Sequence, residues 1–133
     1  MVKICALGAA SQDVFVSGKG IHAQLDPRTN EYMEAFSQDF KLGAKITVDT
    51  VQFATGGGAT NAAVTFSRQD IVSSFIGKLG NDIAAHGVLE ALDKENVNTQ
   101  NVIYHESLGT QYSTVLLADN GERTILVLSL IHI

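Results

Sequence analysis

The sequence predicts an α/β fold in which parallel strands are connected by helices. An apolar run at residues 2–7 ends at a glycine, as a strand of a parallel sheet often does. Two later stretches, near residues 59–66 and 85–92, carry apolar residues at helical spacing. A β-rich run at residues 71–76 lies between them, and this strand–helix–strand order indicates βαβ crossovers.

The first strand is expected at residues 2–7 (VKICAL). Its nearly continuous apolar character predicts a parallel strand that is buried on both faces, with Cys5 as a small core residue. Asp13 follows the Gly8-Ala9-Ala10 turn, and ligands of open α/β sheets bind beyond the carboxyl ends of strands. Asp13 is therefore a candidate ligand residue, and the alternative is an aspartate that only stabilises a turn.

The region before the glycine cluster predicts extra strands and one connection. Residues 13–17 (DVFVS) alternate as a short strand does. Residues 18–43 are expected to form an insertion or an exposed connection. Residues 45–53 (KITVDTVQF) have a β-rich composition, and their alternation slips at Asp49-Thr50, which predicts a bulge or a bend.

Two helices flank the strand at residues 71–76. The first is expected to begin at Ala59 and to end near Gln69-Asp70. Gly80-Asn81-Asp82 predicts the start of the second, with Asn81 or Asp82 as its N-cap. The apolar stripe of the second helix contains Ala85, Val88, Leu89 and Leu92.

The last part of the chain predicts strands. Residues 102–105 are expected to form a short strand. The Asn-Gly pair at 120–121 predicts a hairpin between residues 112–118 and 123–128. The final residues, LVLSLIHI, are apolar to the end, and we expect that the fold continues beyond them.

Gly56, Gly57, Gly58 and Asn61 form the strongest candidate binding site. Three consecutive glycines allow a close approach to the backbone, and they lead into a helix N-terminus that favours oxygen-rich ligands. The alternative is a glycine turn that only starts the helix. The stretch does not match a dinucleotide-binding fingerprint, because Asn61 stands where the third glycine should be, and it lacks the Gly-Lys-Ser/Thr of a P-loop.

Composition excludes several classes of function. A net charge of −5 without a basic cluster argues against a nucleic-acid partner, and no apolar stretch is long enough to predict a membrane span. One cysteine in 133 residues is typical of a cytoplasmic protein. The histidines lack the spacing of metal ligands, so no metal site is expected; they are His22, His86, His105 and His132.

The segment from GGGATNAAV to FIGKLGND resembles the first signature of the ribokinase-like (PfkB) carbohydrate kinases. The residues that match this signature are Gly56, Gly57, Ala59, Asn61, Ala63 and Gly80. Asp70 departs from it, since the family usually has glycine or serine there to end the helix in a left-handed conformation. VKICALGAASQD and GTQYSTVLLADNGERTILV resemble the first strand and a later hairpin of the same family.

The resemblance implies a ribokinase-like parallel sheet with a small β-sheet lid. It implies phosphoryl transfer from ATP, with Mg²⁺, to a hydroxymethyl group of a sugar or nucleoside. Asp13 and Asn61 would bind substrate hydroxyls, and the glycines would place backbone N–H groups near the substrate and act as a hinge. Lid strands would lie within residues 13–17, 45–53 and 102–118. Lids in this family can pair between subunits, so a homodimer is compatible with the resemblance.

The resemblance also implies a second signature that this chain lacks. That Gly-x-Gly-Asp segment would supply the catalytic base, and the sites of ATP and Mg²⁺ would lie mostly near it. We therefore expect residues 1–133 to be the N-terminal part of a kinase, inactive alone. The alternative is a non-catalytic sugar- or nucleoside-binding or regulatory module. A nicotinamide-dependent oxidoreductase is disfavoured because the fingerprint fails at Asn61.

Overall fold

The computed structural model describes residues 2–26 and 36–129. The elements in chain order are β1 (Lys3–Leu7), β2 (Ser11–Ser17), β3 (Gln24–Leu25), β4 (Phe36–Ser37), β5 (Thr50–Gly56), α1 (Gly58–Ser67), β6 (Val72–Ile76), β7 (Lys78–Gly80), α2 (Ile83–Lys94), β8 (Ile103–His105), β9 (Gln111–Leu117) and β10 (Arg123–Leu128). Strands alternate with the two helices, which confirms the predicted α/β class. No helix in the described ranges has both the length and the apolar character that a bilayer-spanning segment requires.

The chain divides into two compact units. Unit 1 comprises the described residues of Met1–Asp13, Phe53–Ser113 and Val127–Ile133, and unit 2 those of Val14–Gln52 and Thr114–Leu126. The division cuts four strands, which form one sheet in the order β10–β9–β2–β5. The candidate site residues Asp13, Gly56, Gly57, Gly58 and Asn61 all belong to unit 1.

Unit 1 contains the predicted parallel strands. β1 pairs with β6 in a parallel register that runs from Lys3 opposite Val72 to Leu7 opposite Ile76. The helix α1 lies between them in sequence and packs on both strands. The core that these elements share with α2 consists of Ala6, Ala10, Ala59, Ala63, Phe75, Leu79, Ala85, Val88, Leu92 and Val97.

The prediction that β1 is buried on both faces is wrong. Its side chains alternate between two faces, and Ala6 is buried whereas Leu7 is 78% exposed. Cys5 is also exposed, so its predicted place in the core is wrong. The described elements cover only the face of Ile4 and Ala6, which leaves Lys3, Cys5 and Leu7 as an uncovered outer face of β1.

The helix α1 ends at Ser67, two residues before the predicted end near Gln69-Asp70. The turn that follows places Asp70 at φ 61°. The amide of Ile71 then donates to the carbonyl of Phe66 at 3.2 Å, which leads the chain into β6. Asp70 therefore adopts the left-handed conformation that the resemblance assigns to glycine at this position.

One short strand was not predicted, and another is confirmed. Lys78–Gly80 forms β7, where the sequence analysis expects no strand. It pairs in parallel with β8, which lies within the strand predicted at residues 102–105. A side chain at Gly80 would come within 2.6 Å of the amide nitrogen of Thr110. Because only glycine fits this backbone contact, Gly80 can extend as a strand while it packs against the loop that precedes β9.

Asp82 caps α2 and also holds that loop. Its Oδ1 accepts hydrogen bonds from the amide of Ala85 at 2.9 Å and from the hydroxyl of Thr110 at 2.7 Å. Its Oδ2 accepts from the amide of Thr110 at 2.7 Å. The hydroxyl of Thr110 in turn accepts from the amide of Gly80 at 2.9 Å, and Thr110 is only 2% exposed. The predicted N-cap is confirmed for Asp82 rather than Asn81.

Acid is expected to weaken this network. Burial raises the pKa of the Asp82 carboxyl, but the hydrogen bonds from Thr110 and Ala85 outweigh it, so the pKa lies below its ordinary value. Ionised Asp82 thus stabilises the fold above the ordinary aspartate pKa, and this contribution is lost as the pH falls through the folded-state pKa. Urea denaturation at pH 6 and at pH 2, about four pH units apart, measures how far acid lowers the free energy of unfolding. This loss should be smaller in Asp82→Asn than in the wild-type chain. Equal losses in both proteins would contradict this prediction.

Unit 2 contains the extra strands. β5 begins at Thr50, so the predicted strand at 45–53 is wrong for residues 45–49; the chain bends at Asp49, near the predicted phase slip. The amide of Asp49 donates to the carbonyl of Ser17 at 2.8 Å. In the predicted connection at 18–43, β3 and β4 form an antiparallel pair. Residues 27–35 of this connection lie outside the described residues.

The predicted hairpin is confirmed. β9 and β10 are neighbours in the sheet, and the turn between them has Gly121 at φ 88°. The amide of Ala118 donates to the carbonyl of Glu122 at 2.8 Å. The predicted Asn-Gly turn therefore closes the two strands where its sequence requires.

Candidate functional site

Asp13 and Gly56 lie side by side because β2 and β5 are adjacent strands. Asp13 is half-buried and Gly56 is buried. A side chain at Gly56 would have its Cβ 2.1 Å from Oδ2 of Asp13 and 2.7 Å from Oγ of Ser11. Glycine at position 56 is therefore what lets the carboxylate of Asp13 lie against the backbone of β5.

Two serine hydroxyls hold the carboxylate of Asp13. The Oγ of Ser11 donates to Oδ1 at 3.0 Å, and the Oγ of Ser113 donates to the same oxygen at 2.6 Å. Sequence reasoning missed both residues. The two-residue spacing of Ser11 and Asp13 places them on one face of a strand, so Ser11 could have been found, whereas Ser113 lies 100 positions away.

Gln12 ties the same strands together. Its Nε2 donates to the carbonyl of Ala54 at 2.8 Å, two residues before Gly56. A side chain at Gly87 of α2 would come within 2.1 Å of Oε1 of Gln12. Gln12 therefore packs directly on α2 and fixes β5 beside Asp13.

Gly57 makes the closest backbone approach of the cluster. Its φ is 107°, and a Cβ there would lie 2.3 Å from the carbonyl oxygen of Ala9 and 2.7 Å from Cα of Ala10. Gly57 is the N-cap of α1 and provides no side-chain capping bond. The first amides of α1 are thus left without a capping side chain, as a helix end that receives an oxygen-rich ligand would be.

Gly58 and Thr60 differ in their roles. A side chain at Gly58 would meet no atom within 4 Å, and Gly58 is exposed. The buried hydroxyl of Thr60 donates a hydrogen bond that two carbonyl oxygens share. The oxygen of Gly56 lies at 2.7 Å and that of Gly57 at 2.9 Å. Thr60, which the sequence analysis did not single out, therefore fixes the glycine backbone, while Gly58 leaves open space in front of the helix.

Asn61 faces a different cavity from Asp13. It is exposed and lines a cleft of about 360 Å³ between α1 and α2. The other residues that line this cleft are Thr55, Thr60, Val64, Thr65, Arg68, Ala91, Leu92 and Glu95. The structure thus brings together Asp13 and the glycines, and it places the side chain of Asn61 in a cleft that Asp13 does not line.

An ion pair borders the cleft of Asn61. The Nε of Arg68 donates to Oε2 of Glu95 at 2.8 Å, and its Nη2 contacts Oε1. The hydrogen bond from Arg68 and its positive charge hold the pKa of Glu95 below its ordinary value, although desolvation opposes the shift. The pair adds little stability because both groups reach solvent, and it provides the cleft with no unpaired cation.

The acidic and histidine side chains of the described residues do not cluster as a full set of metal ligands would. Within residues 2–26 and 36–129, no group of three or more His, Cys, Asp or Glu side chains is placed to hold a metal ion. The site at Asp13 has one carboxylate that accepts from two hydroxyls, and such a carboxylate can accept further hydrogen bonds from a ligand that carries hydroxyls.

A match to a protein-family model shows the family of this chain. The model described as pfkB family carbohydrate kinase matches residues 28–129. The chain belongs to the pfkB family of carbohydrate kinases. The resemblance noted in the sequence is thus confirmed, and the pfkB match includes the glycine cluster and the hairpin.

This pfkB family chain is similar in sequence to a fructokinase and similar in fold to solved structures of a ribokinase and a nucleoside kinase. It is 36% identical to Fructokinase-2 of Oryza sativa over 70 residues, which is 53% of this chain and 21% of that protein. The structure of Arabidopsis thaliana ribokinase complexed with ribose and ATP matches with a TM-score of 0.73 and 22% identity over 96% of this chain and 35% of that one. Methanocaldococcus jannaschii nucleoside kinase matches with a TM-score of 0.67 and 18% identity, over 96% and 37%.

These matches show the ribokinase-like fold of the pfkB family chain. They also show that it spans about a fifth of the fructokinase and about a third of the two structures in length.

Proposed function

We propose that this chain forms the sugar-binding part of an ATP-dependent kinase that phosphorylates a hydroxymethyl group of a sugar or nucleoside. The observation that carries the proposal is the carboxylate of Asp13, held by two serine hydroxyls against the backbone of Gly56. A carboxylate in this setting is an acceptor for substrate hydroxyls. Family membership and the fructokinase and ribokinase relatives support the reaction class.

Each part of the proposed site has a separate task. Asp13 accepts hydrogen bonds from substrate hydroxyls, and the open space at Gly58 lets the substrate approach the first amides of α1. For Asn61, in the first turn of α1, the proposal requires that its side chain turn out of the cleft between α1 and α2 toward a substrate held at Asp13. Bound ATP would supply the phosphoryl group, and the residues described here bind and orient the acceptor rather than the nucleotide.

The proposed lid consists of strands of the four-stranded sheet β10–β9–β2–β5. It includes the unit 2 parts of β2, β5, β9 and β10 and excludes β8, because β8 pairs with β7. Closure of a lid excludes water, which would otherwise compete for the phosphoryl group. A cytoplasmic location and a homodimer through the lid are further parts of the proposal.

Asp13→Ala is expected to weaken sugar binding. The change removes a charge-assisted hydrogen bond worth about 1.5–3 kcal/mol, which corresponds to a loss of roughly 10- to 100-fold in affinity. NMR titrations with D-fructose, D-ribose and adenosine would measure it through the amide signals of Gly56, Gly57 and Gly58. Asp93→Ala, an exposed change on α2, is the control. Unchanged affinity in Asp13→Ala, or no response of these amides to any of the three compounds, would contradict the proposal.

The chain alone is expected to have no kinase activity. Its sequence contains no Gly-x-Gly-Asp segment, which the family resemblance implies for the catalytic base. Incubation with ATP, Mg²⁺ and each of the three compounds, followed by chromatography of the products, checks this expectation. Formation of any phosphorylated sugar or nucleoside at a rate above that of the Asp13→Ala variant would show that the chain is catalytically competent.

A further inference from the structure

The carboxylate of Asp13 is held asymmetrically. The hydroxyls of Ser11 and Ser113 both donate to Oδ1, from β2 itself and from the neighbouring strand β9. Oδ2 accepts from neither serine, and it lies over the backbone of Gly56. The two oxygens of one carboxylate therefore have different surroundings.

The serines saturate Oδ1. A carboxylate oxygen has about two lone-pair sites, and two hydroxyl donors at 3.0 and 2.6 Å occupy both. Ser11 is 4% exposed and Ser113 is 8% exposed, so neither hydroxyl can readily turn to water instead. Leaving either buried hydroxyl without an acceptor would be unfavourable, which keeps both directed at Asp13.

We propose that Ser113, together with Ser11, is a positioning residue that fixes Asp13 in one rotamer and leaves Oδ2 as its only acceptor for a substrate hydroxyl. This inference rests on the proposed sugar-binding role of Asp13. It also narrows the mode of recognition, because a pair of substrate hydroxyls that spans both oxygens would have to displace a serine. Substrates whose hydroxyls converge on Oδ2 alone are favoured.

The test measures the rotamer directly and needs no sugar. Three-bond NMR couplings from Cγ of Asp13 to its backbone nitrogen and carbonyl carbon report the χ1 population in the 133-residue chain. We expect a single rotamer in the wild-type chain and averaged couplings in Ser113→Ala and in the Ser11→Ala/Ser113→Ala variant. Ser113→Thr keeps the hydroxyl and should restore the single rotamer.

Ser73→Ala is the matched control. Ser73 is also a buried strand serine, 2% exposed, but its hydroxyl donates to the carbonyl of Ala63 at 2.8 Å. Its loss should lower stability without changing the Asp13 couplings. Unchanged couplings in the double variant, or equal averaging in Ser73→Ala, would overturn the proposal.

A second measurement uses the unmutated chain and does not depend on a variant that folds. Exchange of the serine hydroxyl protons, followed through deuterium isotope shifts of Cβ, should be at least about tenfold slower for Ser113 than for the exposed Ser107, because the Ser113 hydroxyl is buried and hydrogen-bonded. Equal exchange rates would overturn the proposal. If sugars fail to bind while the couplings behave as expected, the proposed function fails and the positioning role of the serines stands.

Discussion

Replacement of Gly57 by alanine is expected to lower the free energy of unfolding by about 3–5 kcal/mol. A non-glycine residue in a left-handed conformation costs roughly 1–2 kcal/mol, and overpacking adds roughly 1–3 kcal/mol. The overpacking here is severe, because the new Cβ would lie 2.3 Å from the carbonyl oxygen of Ala9, a backbone atom that cannot rotate away. Urea denaturation followed by circular dichroism measures the loss.

Gly58→Ala is the control for this prediction. Gly58 is the first residue of the same helix, but its Cβ would meet no atom within 4 Å and its φ is not in the left-handed region. Because alanine is the better helix former by about 1 kcal/mol, this change should leave the stability unaltered or raise it. Equal destabilisation by both changes would contradict the close approach of Gly57 to Ala9.

Asp82→Ala is expected to lower the free energy of unfolding by about 2–4 kcal/mol. Loss of an N-cap costs about 1 kcal/mol, and loss of hydrogen bonds to a charged group costs about 1.5–3 kcal/mol. The change leaves the buried Thr110 without the acceptor for its amide and its hydroxyl. The destabilisation should be measured at pH 7, where Asp82 is ionised.

The result for Asp82, at the start of α2, should differ from that for a surface aspartate near the end of α2. Asp93→Ala changes an exposed residue of the same helix, and we expect it to shift the stability by no more than about 0.5 kcal/mol. A loss for Asp82→Ala as small as that for Asp93→Ala would mean that solvent replaces the carboxylate at Thr110 and Ala85.

Local signals predicted much of unit 1 correctly. The helical spacing of Ala85, Val88 and Leu92 located α2, and all three residues are buried. Asp82 was one of the two residues predicted as its cap, and the end of α1 was predicted within three residues of Ser67, where it is observed. These features depend on neighbours within about four residues along the chain, which the sequence displays directly.

Contacts between distant residues could not be predicted in the same way. The hydroxyl of Ser113 reaches Asp13 across 100 positions, and Thr110 reaches Asp82 across 28. Neither serine nor threonine carries a pattern that identifies its partner, since the contact depends on which strands become neighbours. The burial predicted for β1 failed for a related reason, because composition cannot state which elements will cover each face of a strand.

The outer face of β1 gives the chain a built-in chemical reporter. Cys5 is the single cysteine of the sequence, and it is exposed on that face beside Leu7. A thiol-reactive dye would therefore attach at one defined position without any engineered cysteine. Its rate of attachment would fall when another polypeptide covers the face, so the same residue would report the binding of a partner to this face in real time.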